Sequence, residues 1–168
     1  MERIWAPWRM AYINEDKPAG CVFCIDPDQD RARDREKLIL YRSVASFIIL
    51  NLYPYTNGHL MVIPYRHTSS LDDLDDVELL DFIKTLRLAR RGLIEALSPQ
   101  GFNIGMNLGL AGGAGVAEHL HFHIVPRWGG DTNFMTITAD TRVVPEALTA
   151  TYDRLAPIFD SLAPGETA

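Results

Sequence analysis

His119, His121 and His123 stand at alternate positions in the run His119–Val125, and they are three of only five histidines in the chain. Imidazole changes charge near neutrality, so it can attack an electrophile, donate a proton or ligate a metal. On a β-strand successive side chains alternate between faces. The spacing therefore predicts three imidazoles on one face, with Leu120, Phe122 and Ile124 on the other. A purely structural strand would carry Val, Ile or Thr at those positions, because each imidazole needs a polar partner when buried. Just ahead lies the glycine-rich stretch Gly109–Gly115. Its backbone amides can approach phosphate oxygens with no Cβ in the way. The stretch is neither a Walker A loop nor a dinucleotide fingerprint, so its weight comes from adjacency to the histidines. The combination points to phosphoryl or nucleotidyl chemistry.

Cys21 and Cys24 are the only cysteines and are separated by two residues. Two thiols are too few for a disulfide framework, which leaves half of a metal site, a redox pair or buried thiols. With 168 residues and 47% hydrophobic content, the chain suits one domain with a substantial core. The net charge of −6 argues against broad nucleic-acid binding but permits a local cationic pocket, for which Arg9, Arg66 and Arg127 are candidates. No apolar stretch reaches the roughly 18 residues of a membrane span, and Met1–Trp5 does not open a signal peptide. The expectation is a cytoplasmic protein without a membrane or nucleic-acid partner.

The elements that must hold these residues follow from patterning. Residues 1–20, rich in aromatics and proline, read as an N-terminal arm; 21–127 as the domain; and 128–168 as a C-terminal extension packed on it. Asp26–Lys37 is charged and reads as a solvated connection. Leu38–Arg42, Ala45–Asn51, His59–Pro64 and Phe102–Asn107 read as strands, with Tyr53–Gly58 as a break. Asp75 as N-cap, Glu78 as its capping-box partner and Leu74 with Leu79 as a staple start a helix. Its expected apolar stripe runs through Val77, Leu80, Ile83 or Lys84, Arg87 or Leu88, then Leu93, Ile94 and Leu97, and Ser98–Gly101 stops it. Phe134–Thr138 reads as a short strand. Pro145–Leu162 reads as a C-terminal helix that Pro157 kinks or ends. Segregated strands and helices without βαβ alternation predict an α+β domain on a mainly antiparallel sheet.

The run HLHFHIV matches without substitution the His-φ-His-φ-His-φ-φ signature of the histidine-triad (HIT) family, φ being apolar. Phe47–Asn51 before Tyr53-Pro54, Gly58–Pro64 and Asn107 ahead of the glycine loop extend a resemblance covering roughly 20–127. It implies a HIT-like fold with a five-stranded antiparallel sheet, a homodimer, and nucleotide substrates cleaved at the α-phosphate. By that resemblance His121 is the nucleophile and His123 contacts the α-phosphate. Backbone amides around Gly113, Ala114 and Gly115 meet its oxygens, and a carbonyl of the glycine loop holds the other nitrogen of His121. Asn51 corresponds to a ribose contact, Asn107 to a phosphate-side contact and Phe23 to a wall of the base pocket, with plain core as an equal reading for Phe23. His59 is read as a strand-start residue with no chemical duty.

Where better-known hydrolase branches carry Gln followed by Ser or Thr, this chain has Gly115 and Val116. Ala111–His119, Ile4–Met10 and Arg127–Phe134 instead resemble bacterial members related to diadenosine tetraphosphate phosphorylase. That branch implies cleavage of dinucleoside polyphosphates with inorganic phosphate as acceptor. The alternatives are a hydrolase of nucleoside phosphoramidates or adenylates, and a non-catalytic nucleotide-binding module. Some family members and related uridylyltransferases complete a zinc site with two further histidines, which here correspond to His67 and His119. The resemblance thus implies a structural zinc on Cys21, Cys24, His67 and His119, with no organic cofactor. A catalytic metal held by the three histidines themselves is the weaker choice.

Overall fold

A computed structural model describes residues 20–28, 31–131 and 146–162. Apolar runs separated by turn residues form five strands: β1 (Ile39–Arg42), β2 (Ser46–Leu50), β3 (Leu60–Pro64), β4 (Gly101–Gly105) and β5 (Phe122–Arg127). They pair antiparallel in the order β1-β2-β3-β5-β4. Two helices, α1 (Asp76–Leu97) and α2 (Leu148–Leu162), complete the architecture. The expected α+β class, the five-stranded antiparallel sheet and both helices are present. The expected arm, Phe134–Thr138 and Pro145 lie outside the described residues.

Alternation along the strands divides the core in two. Ile48, Leu50, Leu60, Val62 and Ile124 face the helices and pack with Phe82, Ala89, Leu93, Leu155 and Phe159. On the opposite face Phe47, Met61 and Ile63 form a smaller cluster with Ile39 and Phe23. Burial on both faces explains why β2 and β3 read as continuous apolar runs rather than alternating ones.

α1 begins as its sequence dictates. Asp75 Oδ1 accepts the amides of Val77 and Glu78, and Glu78 Oε2 accepts the amide of Asp75 at 3.0 Å. It ends where Ser98 turns left-handed, at φ 46°. Much of the expected apolar stripe, however, faces outward: Val77 is 70% exposed, and Leu80, Ile83 and Ile94 are exposed with it, whereas Leu93 is buried as expected and Leu97 packs on the core. The buried residues are Phe82, Thr85, Ala89, Gly92 and Leu93. Polar anchoring sets this rotation. Asp81 accepts from Ser43 Oγ at 2.5 Å, from the Ala45 amide at 3.2 Å and from Ser46 Oγ at 2.6 Å, while Thr85 Oγ1 lies 2.9 Å from Ser46 Oγ. A helix face satisfied by hydrogen bonds to the sheet is invisible to a count of apolar spacings.

α2 packs against β1 and α1, and the Tyr152 hydroxyl donates to the Ile39 carbonyl at 2.9 Å. Pro157 lies within the helix, which continues to Leu162 instead of ending there. At Gly92 of α1 a Cβ would lie 2.6 Å from the Phe159 ring, so the absence of a side chain lets α2 approach. The charged segment before β1 does more than connect. Arg42 and Asp34 form an ion pair at 2.7 Å with both side chains largely buried, fastening that segment to the sheet.

The histidine run departs from its expected form. β5 starts at Phe122, so His119, Leu120 and His121 precede the strand. Pairing with β3 runs from Leu60↔Ile124 to Val62↔Phe122. Further along β3 stands Pro64, which has no N–H to offer a ladder. The run is held instead by side contacts, with the Leu120 amide donating to the Thr68 carbonyl at 2.7 Å.

Candidate active site

Leaving the ladder early splits the three histidines into separate environments. His119 is buried, and its Nε2 lies 2.8 Å from the Pro64 carbonyl oxygen. A carbonyl only accepts, so Nε2 carries the proton and Nδ1 carries a lone pair. That Nδ1 faces Cys21 Sγ at 3.3 Å and Cys24 Sγ at 3.8 Å, and His67 Nδ1 lies 3.2 Å from Cys24 Sγ. The donor atoms of Cys21, Cys24, His67 and His119 all lie within 4.8 Å of one another. Tetrahedral zinc, with ligands at about 2.0–2.3 Å, sets donor atoms roughly 3.3–3.8 Å apart. The two thiols and two imidazoles, one already in the correct tautomer, fit such an ion.

His121 is only 5% exposed, and its Nδ1 lies 2.8 Å from the carbonyl oxygen of His119. Nδ1 is therefore the protonated nitrogen, and Nε2 carries the lone pair that a nucleophile needs. The acceptor is the backbone of its own run, not the expected carbonyl of the glycine loop. Burial pushes the pKa of His121 down, against the opposing pull of the His119 carbonyl. The ring thus stays neutral and nucleophilic near pH 7. Phe23 packs on it with ring centroids 5.0 Å apart and on His119 at 5.9 Å, so Phe23 belongs both to the core and to the site wall.

His123 sits on β5 beside Met61 of β3, with its ring centroid 4.9 Å from that of His121. Its Nδ1 lies 3.0 Å from Nε2 of His59. His59 is completely buried, with its pKa lowered to about 3 by burial and then by the neighbouring His123 and His121. It is therefore neutral. Its Nδ1 accepts the Tyr55 amide at 3.1 Å, so its single proton is on Nε2 and points at His123. His123 then accepts at Nδ1 and carries its own proton on Nε2. Two fixed tautomers thus set a lone pair on His121 beside an N–H on His123. Read from the sequence as idle, His59 determines the second of them. Its signal was the placement of an imidazole at the mouth of a wholly apolar strand.

Asn51 lies in the same turn. Its Oδ1 accepts the Tyr53 amide at 2.9 Å and its Nδ2 is 3.3 Å from His59 Nδ1. Asn107 Nδ2 donates to the Gly113 carbonyl at 3.3 Å, closing the base of the glycine loop. Gly113 has φ +84°, and a Cβ at Gly112 would run into the Leu108 backbone, so this loop requires glycine at both. Ala114 between Gly113 and Gly115 is buried. The arginines expected to supply local positive charge are engaged elsewhere. Arg66 pairs with Glu78 at 2.8 Å, and Arg127 pairs with Asp131 at 2.5 Å and with Asn103 at 2.6 Å. Arg9 lies outside the described residues. Among the described residues, imidazole and backbone amide N–H groups are the candidate donors to an anion.

The HIT domain family profile matches residues 32–130, more than half of the chain. The chain belongs to the histidine-triad family. An AP-4-A phosphorylase of Mycobacterium tuberculosis is 41% identical over 162 residues, covering 93% of this chain and 83% of that protein. The asymmetrical bis(5'-nucleosyl)-tetraphosphatase of Schizosaccharomyces pombe is 36% identical over 93 residues, 55% of this chain and 50% of that one. Among solved structures, a zinc-bound histidine triad family protein of Mycobacterium smegmatis aligns with a TM-score of 0.65 and 28% identity, covering 85% of this chain and 95% of that chain. The fold is HIT-like, and the chain is an enzyme of this family. Among the described residues, no helix is long and apolar enough to cross a membrane.

Proposed function

We propose that this HIT-family enzyme cleaves dinucleoside polyphosphates of the diadenosine tetraphosphate type and transfers the nucleotidyl group to inorganic phosphate. The observation that carries the reading is the fixed Nδ1–H of His121, which leaves Nε2 to attack. Nε2 forms a bond to the α-phosphorus as the bridging P–O bond breaks and ATP departs. The Nε2–H of His123 donates to a phosphate oxygen as charge develops there, and amides of Gly113–Gly115 stabilise the remaining oxygens. A phosphate oxygen then attacks the same phosphorus, the N–P bond breaks, and ADP leaves. Asn51 turns to the ribose hydroxyls, Asn107 serves the phosphate side, and Phe23 walls the base.

Phosphate as acceptor is supported by 41% identity to a phosphorylase and by Gly115, which carries no side chain where hydrolase branches have Gln. Water as acceptor is the second reading, favoured by the 36% identity to a tetraphosphatase. Product analysis with diadenosine tetraphosphate separates them. ADP plus ATP appearing only with phosphate supports phosphorolysis; AMP plus ATP regardless of phosphate overturns it.

Cys21, Cys24, His67 and His119 would hold a zinc ion, which supplies a structural crosslink. Four protein ligands leave no open position for substrate. We extend the reading to a homodimer. β4 stands at the sheet edge with Ile104 43% exposed, and edges of this kind are ordinarily covered.

A further inference from the structure

The turn that delivers the Tyr55 amide to His59 has two external fastenings. One is within the domain: Thr56 Oγ1 donates to the Pro126 carbonyl on β5 at 3.0 Å. The other comes from beyond residue 130, where the matched family domain ends. Asn57 Nδ2 donates to Glu146 Oε2 at 3.1 Å, and Asn57 Oδ1 lies 2.9 Å from Thr151 Oγ1 on α2. Thr151 Oγ1 also lies 2.9 Å from Glu146 Oε2, and Arg154 pairs with Glu146 Oε1 at 2.8 Å. Thr151 is fully buried, so its hydroxyl has no water to turn to. The next residue after Asn57 is Gly58, at φ +75°, where a Cβ would meet Leu97 and Leu93 of α1. The turn is therefore wedged between α1, α2 and β5, and its path cannot shift at one fastening without moving Tyr55 or His59.

We propose that Asn57 and Thr151 are positioning residues for the active site, through which the C-terminal helix fixes the proton arrangement of His59 and His123. The line of contact runs from Thr151 to Asn57, through two peptide units to the Tyr55 amide, and then to His59 Nδ1, His59 Nε2–H and His123 Nδ1. Loosening the Asn57 fastening lets the Tyr55 amide leave His59 Nδ1. Only the longer Asn51 Nδ2 contact, 3.3 Å from His59 Nδ1, then opposes the other tautomer of His59, which would turn a lone pair toward His123 Nδ1 and force the proton of His123 onto that side. His123 would then present no N–H to an oxygen at Nε2. α2 is in this sense part of the catalytic apparatus, although it lies outside the matched domain.

The inference rests on the role proposed for His123 in turnover, but its structural half can be read without substrate. The test uses the full chain and three variants, Asn57→Ala, Thr151→Val and Thr151→Ser, with ¹⁵N NMR of the histidine rings and steady-state kinetics on diadenosine tetraphosphate with phosphate. The expected result is a single Nε2–H tautomer for His59 in the parent and a mixture in Asn57→Ala and Thr151→Val. kcat should fall roughly tenfold with KM little changed. Thr151→Ser, which keeps the hydroxyl, should restore both. Parent-like ring signals in Asn57→Ala and Thr151→Val, with only the melting temperature lowered, overturn the inference. Shifted ring signals in a chain whose parent does not turn over the dinucleotide overturn the proposed function and leave the positioning role standing.

Discussion

The chemistry of this site is written in which nitrogen of each imidazole carries a proton. Carbonyls of Pro64 and His119 fix two of them, and the Tyr55 amide fixes a third through His59. His121→Ala removes the proposed nucleophile. Turnover should fall at least about 10³-fold while nucleotide affinity stays within a few-fold, as checked by kinetics and calorimetry. Retained turnover in that variant would sink the assignment. His59 also makes a pH prediction. Its pKa is about 3 in the folded chain against 6.5 ordinarily, so between those values the unfolded state binds the extra proton. Stability rises with pH across that window and is lost as pH falls from 6.5 toward 3, with a slope approaching about 1.4 kcal/mol per pH unit for this residue. Denaturant titrations at intervals from pH 4 to 7 should show the slope, and His59→Gln should flatten it.

At the scale of elements, the two faces of the sheet have different duties. The helix face carries the larger core, and the opposite face carries the histidines over the smaller Phe23 cluster. Gly92→Ala places a methyl against the Phe159 ring, and the contact of 2.6 Å is too close for the ring to absorb in place. The variant should lose about 1–3 kcal/mol in chemical denaturation. Unchanged stability would mean that α2 does not dock as described. The capping box of α1 and the limits of β1 to β4 within a residue or two were legible in the sequence, because local chemistry decides them, whereas β5 begins three residues later than the histidine run suggests. The buried face of α1 was not, because Asp81 and Thr85 find their partners on β1–β2 residues more than 30 positions away.

For the molecule as a whole, the Cys21–Cys24 turn, His67 after β3 and His119 before β5 are brought together from three separate parts of the chain. A metal there crosslinks the N-terminal segment to the sheet and steadies the carbonyl that holds His121. Elemental analysis should find one zinc per chain. Chelation should lower the melting temperature by several degrees, reversed by added zinc, and Cys24→Ser should behave like the chelated protein. A chain free of metal with the same melting temperature after zinc addition would refute this.

The sequence by itself determined the family and, among the described residues, the strand and helix inventory. Three alternating histidines beside a glycine-rich loop carry their meaning in residue type and spacing, and so does a Cys pair awaiting two more ligands. Tertiary structure decided how those groups divide the work. Pro64 has no N–H, so the histidine run leaves the ladder and His119 turns to the cysteines. Only folding sets His59, 64 positions away, against His123 and gives it a partner to orient. The charges of Arg66 and Arg127 are spent on Glu78 and Asp131, a pairing that composition cannot show. Spacing reports what a backbone can present locally, whereas the proton on each nitrogen depends on which distant carbonyl or amide arrives to meet it.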